Sequence, residues 1–425
     1  MGLLRTYDLR LLATPSRVVI RPFHLAPEPR DLNPTQAGRA HRIIEAVRAM
    51  SDAEAARELA AVDADFATRH WQSRLVHRTR FERLARELGI GEALSEDKRL
   101  LIGAFFCHEY SYAAAAIMNP SIVPHTDQSG LMEGDQRFIL SVRTVGEGHI
   151  SSIAFREGIL KADGELNLWP LPDLTIAAES EDGGADRAVI ARRPPTVPIS
   201  GLVIFPFTRA QRNGLEDLRL VRFDDEGEEV YYGTYTAYSG AEVRSELFTT
   251  RDFTTFSLET MEGEAARHKG MALFPRRIDG AYAMIGRQDG ESIFFMQSDD
   301  LRRWDGGVRI LAPTFPWELV QIGNCGSPIE LDEGWLVLTH GVGAMRKYAI
   351  GAALLDKRDP TKVLGRLAEP LLSPLNENRE GYVPNVVYTC GAMKHGDRLF
   401  MPFGVADSSV SFALVEIRSL LADMR

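Results

Sequence analysis

The chain has 425 residues, 44% of them hydrophobic, and its 49 basic and 59 acidic side chains leave a net charge of −10 at pH 7. An acidic balance without a Lys/Arg run gives no electrostatic footprint for nucleic acid or an anionic membrane surface. No window reaches the roughly 18 apolar residues that span a bilayer. Residues 1–5 lack the basic-then-apolar pattern of a signal peptide, so the expected location is the cytoplasm. Three widely spaced cysteines, Cys107, Cys325 and Cys390, fit a reduced compartment better than a disulfide framework.

In chain order, the first element is a short β-like run, Ser16 to Phe23, in which charged and apolar residues interleave. From about 36 to 117 the texture is helical. Ile43, Ala46, Val47 and Met50 recur at three- and four-residue steps, as do Ala56, Leu59, Ala60 and Val62. Ser51 with Glu54 three residues on predicts a capping box. This zone reads as an amphipathic helical layer.

After Asn119-Pro120 the chain turns β-rich. Runs of β-branched and aromatic residues recur at 138–142, 201–205, 230–235, 281–285, 334–338 and 398–403. Between several of them stand Asp225-Glu226-Gly227, Asp279-Gly280, Asp289-Gly290, Asp332-Glu333-Gly334 and His395-Gly396-Asp397, pairings that suit tight hairpins. A loose repeat of roughly fifty residues lies in the range of propeller blades. On pattern alone a propeller stands slightly ahead of a sandwich or another large β fold.

No P-loop, nucleophile elbow, HExxH or zinc-type Cys/His spacing occurs. Polar groups gather instead at predicted strand ends: Asn119, Arg143, Glu216-Asp217, Arg219, Arg244, Lys269, His340, Asn385 and Asp407. A lone loop Asp is usually a turn residue. Glu216-Asp217 is more pointed, since the two carboxylates sit between apolar residues, beside Arg219 and just before a β-like run. Trp304, Trp317 and Trp335 are candidates for stacking on a ligand ring, although Trp is more often packing.

Eight segments, in order, carry a resemblance to a known family. They are Asn119-Pro120-Ser121; Arg143 after an apolar strand; Gly214-Leu215-Glu216-Asp217-Leu218-Arg219; and Gly233-Thr234-Tyr235-Thr236-Ala237-Tyr238. Then follow Lys269-Gly270-Met271-Ala272-Leu273-Phe274-Pro275; Gly334-Trp335-Leu336 with Thr339-His340-Gly341-Val342; Asn385-Val386-Val387-Tyr388; and Phe403-Gly404-Val405-Ala406-Asp407. Over about residues 117 to 420 the chain resembles glycoside hydrolase family 130, the β-mannoside phosphorylases and β-mannosidases.

The resemblance implies an all-β five-bladed β-propeller over 117–425, and the residue pattern itself puts an N-terminal strand and α-helical extension over 1–116 before it. It implies inversion at the anomeric carbon, with Asp217 as general acid, the Asp of the family's Glu-Asp-Pro-Arg motif. This chain has Leu218 where the family has Pro. Asn119, Arg143 and Asp407 match positions that hold the sugar before the cleaved bond, and Asn385 is grouped with them as substrate-binding. The expected substrate is a β-linked mannooligosaccharide or mannosyl-glucose.

The nucleophile is phosphate or water. Arg and Lys suit phosphate as fork and point charge. Arg244 lies eight residues before Asp252, the offset at which the resemblance implies a phosphate-binding Arg ahead of the family's Asp-Phe pair, and Lys269 and His340 complete the candidate cradle. Glu246, two residues from Arg244 and on the same strand face, is the alternative base for water. Phosphorolysis giving α-mannose 1-phosphate is the favoured reading. An inverting β-mannosidase and a non-catalytic sugar-binding propeller are the alternatives. No metal or organic cofactor is expected, inorganic phosphate would be a co-substrate, and a homo-oligomer is compatible with the sequence.

Overall fold

A computed structural model describes residues 4–25, 38–91, 93–180, 188–376 and 379–425. The chain forms two compact units. One comprises residues 17–111 with 172–177, and the other residues 1–16, 112–171 and 178–425.

The smaller unit holds four helices: Arg39–Ala49, Asp52–Phe66, Ser73–Leu88 and Glu96–Phe105. Ser51 caps the second as its sequence predicts. Its hydroxyl accepts from the Glu54 amide at 3.2 Å, while Glu54 Oε2 accepts from the Ser51 amide at 2.7 Å. Ile44, Val47, Phe81, Leu84, Leu101 and Ile102 form the shared core. The helical texture ends sooner than the composition suggests. Val18–Pro22 pairs antiparallel with Cys107–Ser111, so that stretch is a two-stranded ribbon.

The larger unit is β-rich. One antiparallel group joins Ala116–Pro124, Gln136–Val145, Ser151–Leu160 and Leu166–Leu168. A second joins Gly214–Asp225, Glu228–Tyr238, Val243–Thr250 and Thr255–Thr260. Gly214 meets Ser151 in a short parallel contact between the two. A four-stranded sheet follows over 272–311, and a five-stranded one over 321–366. The last sheet centres on Arg398–Val405 and Ser409–Glu416, and the latter also pairs with Leu4–Thr6. Asp225-Glu226-Gly227 makes the hairpin its sequence predicts, with φ of 58° at Glu226 and 93° at Gly227, the paired positive values of a type I′ turn.

The packed faces explain the aromatic runs. Trp335 is fully buried against Phe274 at 5.0 Å in an edge-on pair, and Trp304 is buried with Met284 and Met296. Trp317 shields Gly341 and Gly351, and its Nε1 donates to the Ala368 carbonyl at 2.9 Å.

Candidate active site

Two strands are interrupted at matching places. Ala116–Pro124 keeps register with its neighbour up to Met118 and resumes at Ser121, while Gly214–Asp225 does so at Glu216 and Arg219. The skipped pairs, Asn119-Pro120 and Asp217-Leu218, are bulges, which redirect side chains out of the strand alternation. Asn119 and Asp217 have φ of 48° and 57°, a left-handed conformation that non-glycine residues pay for in strain of order 1–3 kcal/mol. The bulges bring the two together: Asn119 Nδ2 donates to Asp217 Oδ1 at 2.6 Å. The rest of the Asn-Pro-Ser motif fixes this geometry. The Pro120 carbonyl accepts from the Cys390 amide at 2.7 Å, and Ser121 Oγ accepts from the Leu220 amide at 3.0 Å. Asn385 and Asp407 are also left-handed, at 63° and 48°. All four are Asn or Asp, the types that tolerate this region best.

Around Asp217 the charges are dense. Arg143 NH1 donates to Asp217 Oδ1 at 3.2 Å, Arg143 NH2 to Glu216 Oε1 at 2.8 Å, and Arg143 Nε to Ser151 Oγ at 2.9 Å. Lys269 donates to Glu216 Oε2 at 2.8 Å. Arg219, buried, donates to the Asp217 carbonyl, the Cys325 carbonyl and the Tyr388 hydroxyl, each at 2.8 Å. Burial alone would raise the Asp217 pKa. The charges of Arg143, Arg219 and Lys269, with the Asn119 bond, outweigh it and hold the carboxyl at about 2. Asp407 moves the other way, to about 6, through burial and the negative charge of Asp217, against the pull of Arg143 and Arg346.

A second cluster continues from Lys269. Arg287 follows the apolar strand Tyr282–Gly286. A Cβ on Gly270 would come within 3.3 Å of its Nε, and one on Gly323 would come within 2.5 Å of both its Cδ and His340 Cε1. The two glycines therefore let the arginine lie beside Lys269 and His340. Arg287 Nε has no hydrogen-bond partner among the described residues. Arg287 lies outside the expected cradle, although the signal that marks Arg143, an arginine ending an apolar strand, applies to it equally. His340 is buried, 3.3 Å from the Gln321 amide nitrogen and edge-on to Tyr388. Burial, then Arg287 and Arg219, push its pKa well below 6.5, so it offers a neutral imidazole rather than a third cation.

Arg244 and Glu246 lie elsewhere. Register places Glu216, Thr236 and Ser245 on one face of the sheet and Leu215, Ala237 and Arg244 on the other. On that second face Glu246 is fully buried. Oε1 accepts from Arg244 Nε and NH2 at 2.8 and 2.6 Å; Oε2 accepts from Tyr235 at 2.5 Å and Gln211 at 2.6 Å. Asn385 is half-buried, and its carbonyl accepts from the Tyr348 amide at 2.9 Å. A cavity of about 390 Å³ opens toward the opposite ends of the bulged strands, lined by Ile122, Phe223 and Ile329 among others, away from Asp217. Among the described residues no group of three or more His, Cys, Asp and Glu is placed to hold a metal ion.

A bulged carboxylate, amide and guanidinium donors in one cluster, and an adjoining row of cations define a site built for a polyhydroxylated ligand next to an anion. The comparisons point the same way. A family model described as beta-1,4-mannooligosaccharide phosphorylase matches residues 199–425. A 1,2-beta-oligomannan phosphorylase of Thermoanaerobacter sp. is 34% identical over 218 residues, 50% of this chain and 72% of the relative. A beta-1,2-mannobiose phosphorylase of Listeria innocua is 35% identical over 230 residues, 51% of this chain and 62% of the relative, so less than two thirds of that relative is spanned. The solved Listeria innocua enzyme in complex with beta-1,2-mannobiose superposes with a TM-score of 0.51 at 26% identity, covering 73% of this chain and 92% of its own. The chain belongs to glycoside hydrolase family 130.

Proposed function

We propose that the protein cleaves β-mannosides by inverting phosphorolysis, giving α-mannose 1-phosphate and a shortened acceptor, on a five-bladed propeller formed by the larger unit. The observation that carries this reading is the Glu216 carboxylate, one oxygen on Arg143 and the other on Lys269. It sets the sugar-binding group and the cationic row on either side of one residue, next to Asp217. The mannosyl ring is held by Asn119, Arg143 and Asp407, with Asn385 nearby. Phosphate is held by Lys269 and Arg287, with His340 contributing an uncharged N–H. Relatives named for β-1,2- and β-1,4-mannosides support the substrate class.

In the reaction a phosphate oxygen attacks the anomeric carbon from the face opposite the leaving group. The glycosidic bond breaks, and Asp217 supplies the proton to the leaving oxygen, directly or through a sugar hydroxyl. Asp217 is ionised in the free protein and must first take up that proton. Two events favour this: the sugar competes for Asn119 and Arg143, and phosphate offsets the Lys269 charge that holds the carboxyl low. Glu246 is poorly placed to activate water, since Arg244, Tyr235 and Gln211 occupy both its oxygens. The free thiols of Cys107, Cys325 and Cys390 support a cytoplasmic setting.

Incubation with β-1,2- and β-1,4-mannobiose, with and without phosphate, followed by ³¹P NMR, tests the proposal. The expected result is phosphate-dependent mannose 1-phosphate. Equal mannose release without phosphate would overturn it.

A further inference from the structure

The cavity at the far ends of the bulged strands serves none of the chemistry above. Its walls come from residues 122–124 on one strand and 220–224 on the other, joined by 275–276, 327–330 and 391–394. Leu220 lines it, whereas Arg219, one residue back, belongs to the cluster around Asp217. Close backbone packing fixes its shape. A Cβ on Gly326 would lie 2.4 Å from the Cys390 carbonyl oxygen, and one on Gly391 would lie 2.7 Å from Ser121 Oγ. At about 390 Å³ it falls at the small end of the range for small-molecule sites.

The lining divides into apolar walls and a few polar groups. Pro124, Pro275 and Pro328 have no amide N–H to offer, and Ile122, Phe223 and Met393 add apolar surface. The acids are engaged. Glu330 accepts from Arg276 Nε and NH2 at 3.0 and 2.8 Å, Glu229 pairs with Arg222 at 3.2 Å, and Asp224 Oδ1 accepts from the Gly227 amide at 2.7 Å. Two donors are not. Ser327 Oγ is buried with no hydrogen-bond partner among the described residues, a costly omission for a hydroxyl. Lys394 is exposed and makes no ion pair among the described residues. A sugar, with hydroxyls on every side, would leave most of them unpaired against such walls.

We propose that this cavity is a second ligand site, separate from the sugar site, and that it takes a small amphipathic anion. The ligand is a carboxylate on an aromatic or branched aliphatic body. Its oxygens accept from Lys394 and Ser327, and its body packs on Ile122, Phe223 and the three prolines.

The test uses the full-length protein and two probes, anilinonaphthalene sulfonate read by fluorescence and phenylpropionate read by displacement. Wild type is expected to bind the fluorophore at one saturable site, displaced by phenylpropionate and not by mannobiose. Lys394→Glu should raise its Kd roughly 10-fold, through loss of a charge-assisted hydrogen bond, and Ser327→Ala roughly 3- to 10-fold. Ile329→Trp, which fills the cavity, should abolish binding. Lys394 is exposed, so Lys394→Glu should keep the wild-type melting temperature and mannoside cleavage, and it decides the matter if Ile329→Trp fails to fold. Absence of saturable binding overturns the site, as does wild-type affinity in Lys394→Glu or in folded Ile329→Trp, or displacement by mannobiose.

Discussion

At the scale of single residues, the site separates groups that act on charge from groups that hold them. Asp217→Asn removes the proton donor and should lower kcat by about 10² to 10⁴, the usual worth of a general acid, with the fold intact by circular dichroism. Arg287→Met should raise KM for phosphate roughly 10- to 100-fold, the scale of one hydrogen bond to a charged group, while KM for the mannoside changes little. Initial rates over both substrates would separate the two effects. On the sequence, Glu246 is a rival base, because i and i+2 share a face. That geometry is correct, but sequence gives no view of Tyr235 and Gln211 closing on the other oxygen. Asp407 invites a pH test. Its folded value of about 6 lies above the ordinary 3.8, so the folded state binds the proton more tightly than the unfolded chain. The stability this adds is fully present below pH 3.8 and is lost as pH rises through 6. Asp407→Asn should therefore raise the melting temperature by more at pH 7.5 than at pH 4, at the cost of sugar affinity. Scanning fluorimetry at both pH values checks the sign.

Among the elements, the strands and hairpins were legible because their signals are local. Val230 to Tyr235 lies in a strand as expected, Asp225-Glu226-Gly227 turns where it should, and Ser51 caps its helix. The bulges were not legible. The sequence pattern puts Asn119 and Glu216-Asp217 at strand ends, whereas both lie inside longer strands, and only the partner strand shows the missing register. The Asn-Pro and Glu-Asp pairs marked both places, but as motifs and not as geometry. Leu218 is accommodated because Gly233 faces it: a Cβ there would lie 2.8 Å from Leu218 Cδ1 and 3.3 Å from the Arg219 carbonyl oxygen. Gly233→Val should displace the bulge. The expectation is a loss of about 1–3 kcal/mol from overpacking, together with a fall in kcat, since Asp217 rides on the same two residues. Chemical denaturation and kinetics on one preparation would read both. If stability fell with kcat unchanged, the link between bulge and catalysis would be lost.

For the molecule as a whole, β-rich architecture was readable from residue 117 onward, and helices were readable before it. What sequence could not place was the opening segment. Its short strand Leu4–Thr6 pairs with Ala413–Val415, near the other end of the chain, and no local pattern encodes a partner so distant. That pairing has a consequence for synthesis. During translation the first strand emerges long before its partner exists, so its backbone donors and acceptors wait on water while the chain between is made. The final sheet can be completed only by a contact across nearly the full chain, the slowest kind of closure to find. The N-terminus thus acts as a clasp fastened last, and a nascent chain stalled before residue 409 would lack the strand that receives it.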